Sequence, residues 1–199
     1  FMGEIRSALD IALEKTAHIE GDPKSADHRD LKNSGKKAAG DFLANRDTAT
    51  LTAALEGKDG ERRQMVVEGI VSILLASLRL PVAETDIDKI NLIGAGLEAA
   101  LPGKGNAQLF GQVSQILGQY LSELDGLHKA LEQQFMPRLR AKQQEIAKRY
   151  GQNVPIDPRQ DPEYLNALSK NRQALEGKYE AVIDEIRARV REGAGIAED

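Results

Sequence analysis

Residues 106–136 read NAQLFGQVSQILGQYLSELDGLHKALEQQFM, and this stretch decides the fold. Phe110, Val113, Leu117, Tyr120, Leu124, Leu127 and Leu131 step through it by alternating threes and fours. That is a heptad seam held for about three repeats, the least at which coiled-coil packing is worth proposing. Some thirty residues of helix span roughly 45 Å. Pro137 follows, and the spacing predicts a kink or interruption there, because proline lacks the amide donor and clashes with the preceding turn. Arg138 to Tyr150 reads as helix again, with Leu139 and Ile146 apolar.

Downstream, Gly151 to Gln160 carries Pro155 and Pro158 and reads as a loop. Asp161-Pro162 is a helix start, an acidic cap followed by proline at the first helical position. The last helix is expected to run to about Glu192. Leu165, Leu168, Leu175, Tyr179, Val182 and Ile186 recur at heptad spacing, with Arg172 at a core-type position among them. A buried cation is costly unless paired, so Arg172 is expected to snorkel or to meet a carboxylate on the facing helix. Gln134 would be the matching polar residue on the first long helix. The two seams, joined through a hinge, predict an antiparallel hairpin. Leu109, Ile116, Leu121, Ile183 and Val190 lie off the seams and need another surface, either the earlier helices or a second chain.

Upstream, Pro102-Gly-Lys-Gly105 is a break. Before it the pattern predicts helices over about 3–19, 27–44, 48–56, 60–80 and 85–101. The segment Met65–Leu80 is apolar on more than one face, as at the centre of a bundle, and Pro81 closes it. Glu68, Ser72, Ser77 and Arg79 interrupt it, so it is too short and too polar to span a bilayer. Thr85-Asp-Ile-Asp88 has capping-box spacing. Gly35 and Gly40 each lower helix propensity by about 1 kcal/mol relative to Ala, so the 27–44 helix needs tertiary support. No stretch alternates as a strand. The expected fold class is all-α, a multi-helix bundle with a long antiparallel helical hairpin in the C-terminal half. A single domain over 2–199 is expected, with 2–101 and 106–192 as its natural subdivision. Phe1 before a methionine reads as an expression remnant, and no signal-peptide pattern follows.

Composition excludes several chemistries. The 199 residues contain no Cys, which removes disulfides, thiolate nucleophiles and cysteine-bound metals. The net charge is −4, with 14 basic and 17 acidic residues over 1–105 and 13 and 14 over 106–199, so neither half is a basic domain. Aromatics are only 4% and there is no Trp, so the core must be built from Leu, Ile, Val and Ala.

The remaining candidates are weak. His18 and His28 stand near Glu20, Asp22 and Asp27, but without the i,i+4 geometry of a helical two-histidine site. Asp125, His128 and Glu132 form one helical stripe, half of a bundle metal site with no second half. Gly94 and Gly96 occupy two positions of a dinucleotide fingerprint whose third is Ala99; without a preceding strand they read as close helix packing. Arg138, Arg140, Lys142, Lys148 and Arg149 make a basic patch, and Lys24 to Arg46 a second, without interleaved aromatics to stack bases.

The expected function is therefore a helical protein–protein interaction or scaffold protein without catalytic activity or cofactor, cytoplasmic, with a protein partner and a homodimer as the first arrangement to consider. Two alternatives are a nucleic-acid-associated protein using the basic helix faces, and a metal- or small-ligand-dependent enzyme with a site between helices.

Overall fold

The computed structural model describes residues 23–151 and 155–197. Six helices follow one another: α1 Pro23–Asn45, α2 Ala49–Leu55, α3 Gly60–Ala76, α4 Thr85–Ala100, α5 Asn106–Tyr150 and α6 Pro162–Gly193. A short 3-10 turn, Pro158–Gln160, precedes α6. Among the described residues there is no strand. The expected all-α bundle and its long hairpin are both present. The helix expected over 3–19 lies outside the described residues.

The sharpest feature of the bundle is the crossing of α1 and α3. A Cβ placed on Gly35 would stand 2.1 Å from the Val66 carbonyl oxygen, and one on Gly69 would stand 2.1 Å from that of Lys32. Each glycine therefore turns its Cα–H toward the other helix's carbonyl, a reciprocal weak hydrogen bond that only a missing side chain permits. The two helices run in the same direction. His28 Nε2 lies 3.4 Å from Glu61 at their starts. Lys32 bonds Glu68 at 2.7 Å near the crossing. Beyond it, Phe42 and Leu74 both meet Gly96.

Helix α4 is the next layer. A Cβ on Gly96 would stand 2.5 Å from the Phe42 ring of α1, and one on Gly94 would stand 2.4 Å from Phe110 Cβ of α5. Both phenylalanines are fully buried. The two glycines thus let α4 sit tightly between the first helices and α5, the packing role expected of them. The C-terminal part of α6 is tied to both ends of α3. Gln64 donates to the Ala194 carbonyl at 2.7 Å. Arg187 donates to the carbonyls of Leu75 and Leu78 at 3.3 and 2.7 Å. Buried side chains from all six helices form one cluster, and Ile183 and Val190 belong to it. The off-seam residues of α6 thus find their surface within this chain.

Several boundaries differ from expectation for identifiable reasons. Helix α1 is described from Pro23, earlier than the expected start near Asp27. Helix α3 stops at Ala76 instead of Leu80. Two of its last carbonyls accept from side chains, Ile73 from Ser77 Oγ and Leu75 from Arg187, which helps to satisfy the helix end. The capping box at Thr85 does not form. Asp86 reaches back instead and accepts from the amides of Val82 and Ala83 at 2.9 and 3.1 Å.

Pro137 does not interrupt the rod: α5 is continuous for 45 residues, about 67 Å at about 1.5 Å per residue. Proline frees the carbonyl of the residue four earlier, here Gln133. Both residues are exposed, so water can take the place of the lost backbone donor.

Candidate functional site

Two features stand out from the bundle. One is the distal part of the α5–α6 hairpin. The other is a cleft beside the C-terminal end of α1.

The hairpin is antiparallel. Tyr120 packs edge-on against Tyr179 with centroids 5.3 Å apart, and Phe135 against Tyr164 at 5.6 Å. Glu123 accepts from Tyr179 Oη at 2.9 Å and pairs with Lys178 at 3.2 Å, which holds its carboxyl below the usual range. Farther out, Arg138 pairs with Glu163 and Lys142 with Asp161. Phe110, Val113, Leu117 and Tyr120 at one end, and Tyr179 and Ile186 at the other, sit in the main cluster. Leu124, Leu175 and Val182 pack on its margin. Beyond that margin, among the described residues, the two helices pack on each other and on the 3-10 turn.

This outer arm has a small centre of its own: Leu131, Leu139, Tyr164 and Asp161 are buried there, away from the main cluster. Asp161 caps α6 by accepting from the amides of Glu163 and Tyr164 at 2.9 and 3.2 Å. The Lys142 ammonium is the largest influence holding its carboxyl below the ordinary range.

The seam residues named on α5 are buried or half-buried, while on the outer half of α6 the inward positions differ from those named. Leu127 and Leu168 are half-buried. Leu165 is 45% exposed, and Tyr164, one residue earlier, takes the inward place. Arg172 is exposed rather than in the seam, and bonds Glu176 on its own helix at 2.7 Å. Gln134 is exposed as well.

The polar stripe does not assemble a metal site. Asp125 pairs with Lys129, Glu132 is exposed and His128 is half-buried. Among the described residues no group of three or more His, Asp or Glu is placed to hold a metal. His18, Glu20 and Asp22 lie outside the described residues, while Asp27 lies 3.5 Å from Arg62. In the basic patch, Arg138 and Lys142 are spent on carboxylates of the facing segment. Arg140, Lys148 and Arg149 remain exposed.

The cleft encloses about 430 Å³. Leu43 and Arg46 approach it from the end of α1, Arg79, Leu80 and Val82 from the α3–α4 connection, and Lys89, Ile90 and Ile93 from α4. Arg46 holds a left-handed backbone, φ 59°, and its amide closes α1 on the Phe42 carbonyl at 2.7 Å. Asp86 bonds Lys89 at 2.8 Å. That contact, with the two backbone amides, lowers its carboxyl to about 2. The sequence did not single out this cleft, because three separate segments converge to make it.

The model of a family of unknown function, DUF6657, matches residues 52–192. The chain belongs to DUF6657. In this DUF6657 member the matched region takes in α3 to α5 and nearly all of α6, and so the whole arm and the α3–α4 side of the cleft. No curated protein matches the chain. No solved structure matches it either. Among the described residues no helix is long and apolar enough to cross a membrane.

Proposed function

We propose that this DUF6657 protein is a helical interaction protein without catalytic activity, and that the outer α5–α6 arm is the surface that meets its protein partner. A second copy of the chain is the first partner to test. The observation that carries the reading is the arm itself. About 30 residues of α5 follow Tyr120, some 45 Å of helix, with only α6 and the 3-10 turn alongside among the described residues. A two-helix layer has no third element to cover its outer stripes. Met136, Tyr150 and Leu165 are the large apolar residues left exposed on this arm. Two such arms side by side would make a four-helix bundle, the usual way helices of this kind complete their burial.

Sedimentation velocity of the wild type and of a Met136→Glu/Leu165→Glu variant tests this. The expected result is a concentration-dependent dimer that the variant loses while keeping its helicity and melting temperature. A wild type that stays monomeric, together with a photo-cross-linker at Leu165 that captures nothing in the native cell, would overturn the proposal.

A further inference from the structure

The cleft beside α1 has the chemistry of a binding site for a small anionic amphiphile. Its floor is apolar: Ile90 and Ile93 are buried, and Leu43 and Leu80 half-buried. Its rim is cationic. Arg46, Arg79 and Lys89 stand against one carboxylate, Asp86. That carboxylate is already committed to Lys89 and to the amides of Val82 and Ala83. Arg46 and Arg79 both line the cleft and are exposed, and neither has a carboxylate partner among the described residues. A planar guanidinium fork fits a carboxylate bidentately and is more weakly hydrated than an ammonium, which makes it the favoured side chain for such a contact.

Two further observations point the same way. The volume of about 430 Å³ lies in the range of small-ligand pockets, roughly 300–1,000 Å³. Arg46 also occupies the left-handed position that closes α1, where glycine is the low-strain residue. Backbone strain of this kind is kept where a side chain has work to do.

We infer that this cleft binds a monocarboxylate with an unbranched apolar tail, the carboxylate lying between Arg46 and Arg79 and the tail on the Leu43, Ile90 and Ile93 floor. The inference does not depend on the arm, which shares no lining residue with the cleft.

Octanoate titrated into the full chain, followed by amide NMR and calorimetry, tests it, with 1-octanol and octylammonium as uncharged and cationic probes. Octanoate is expected to bind saturably and to shift amides of residues 43–46, 77–82 and 86–93, with the two other probes at least tenfold weaker. Arg79→Gln is expected to weaken octanoate about tenfold. Arg46→Gly is the more telling variant, because it relieves the backbone and leaves a more stable protein. It should nevertheless lose octanoate affinity by a similar factor. Octylammonium binding as tightly as octanoate, or octanoate affinity unchanged in both variants, would overturn the proposal.

Discussion

Gly35 and Gly40 lie five positions apart on α1 and look equivalent in the sequence, yet alanine at the two should change stability in opposite directions. At Gly40 a Cβ would meet nothing within 4 Å. Gly40→Ala therefore collects only the helix-propensity gain, about 0.5–1 kcal/mol. At Gly35 the same atom would stand 2.1 Å from the Val66 carbonyl oxygen, 3.0 Å from its carbon and 3.1 Å from the Ile70 nitrogen. All three are backbone atoms of a buried helix, so no rotamer change can clear them. Relief requires α1 and α3 to part by about 1 Å, and a gap of that size forfeits a quarter to a half of each affected dispersion contact. The contacts at stake belong to Leu31, Ala38, Phe42, Val66, Ile70 and Leu74, all buried. Overpacking of this kind costs about 1–3 kcal/mol or more. After subtraction of the propensity gain, the expected net loss for Gly35→Ala is about 1–2 kcal/mol.

For a chain of this size, 1 kcal/mol moves the midpoint by about 2–4 °C. Thermal and urea denaturation followed by circular dichroism should thus place Gly35→Ala about 2–8 °C below wild type and Gly40→Ala about 1–4 °C above it. Gly69→Ala meets the mirror-image contact, 2.1 Å from the Lys32 carbonyl oxygen, and should resemble Gly35→Ala. The double variant should cost less than the two singles combined, because helices already parted by one methyl admit the second more cheaply. A Gly35→Ala protein as stable as Gly40→Ala would refute the close crossing and the parallel packing built on it.

Three other outcomes are expected. Glu98 accepts from the amides of Gly103, Asn106 and Ala107 at 2.9, 2.6 and 3.4 Å, and the Gly103 amide is the largest influence lowering its carboxyl. Its contribution is therefore present above the ordinary carboxylate value of 4.5 and is lost as pH falls through the lowered one; Glu98→Gln should flatten that acid limb and speed amide exchange over residues 103–108. Arg187→Ala removes the charged donor from the Leu75 and Leu78 carbonyls and should cost about 2 kcal/mol in urea melts, whereas removing the Asp184 partner, which is largely exposed, should change little. Pro137→Ala restores an amide donor in mid-helix and should stabilise the arm by up to about 3 kcal/mol, read as slower amide exchange over residues 130–145.

Periodicity made the helices legible, because each core-facing stripe is a property of one segment. Phe110, Val113, Leu117 and Tyr120 are buried where the three-four spacing puts them. The outer half of α6 was less legible for a physical reason. Between Leu168 and Leu175 only one facing helix is present among the described residues, and Arg172 is exposed beside Glu176. Glycines were illegible in a different way. A sequence reports that a side chain is missing, and only the neighbouring helix reports whether the vacancy is used. Gly35, Gly69, Gly94 and Gly96 are occupied by other helices, while Gly40, Gly111 and Gly118 face open space. The cleft was invisible for the same reason, since Arg46, Arg79 and Lys89 belong to three segments that meet only in the folded chain.

The stabilisation is also unevenly divided along the hairpin, and this bears on what the arm can do. At its root the hairpin rests on the main cluster, and α6 is stitched to α3 by Arg187 and Gln64. At its far end it holds by Phe135 against Tyr164, by Leu131 and Leu139, and by the Arg138–Glu163 and Lys142–Asp161 pairs. Exposed ion pairs contribute little, and Arg138 and Glu163 are both substantially exposed. Asp161 is different. Its side chain is almost wholly buried, so losing Lys142 would leave a carboxylate shielded from water with only backbone amides to satisfy it. The arm is thus secured at two places, the Tyr120–Tyr179 contact and the Asp161 cap, with a lightly covered stretch between them. Segments with few buried contacts open at lower cost than the core they grow from. A partner that covered the exposed Met136 and Leu165 side chains, beside the Phe135–Tyr164 contact, would brace the far end and so raise the cost of opening the stretch between, which is why the arm is the part of the molecule where binding and local order should be coupled.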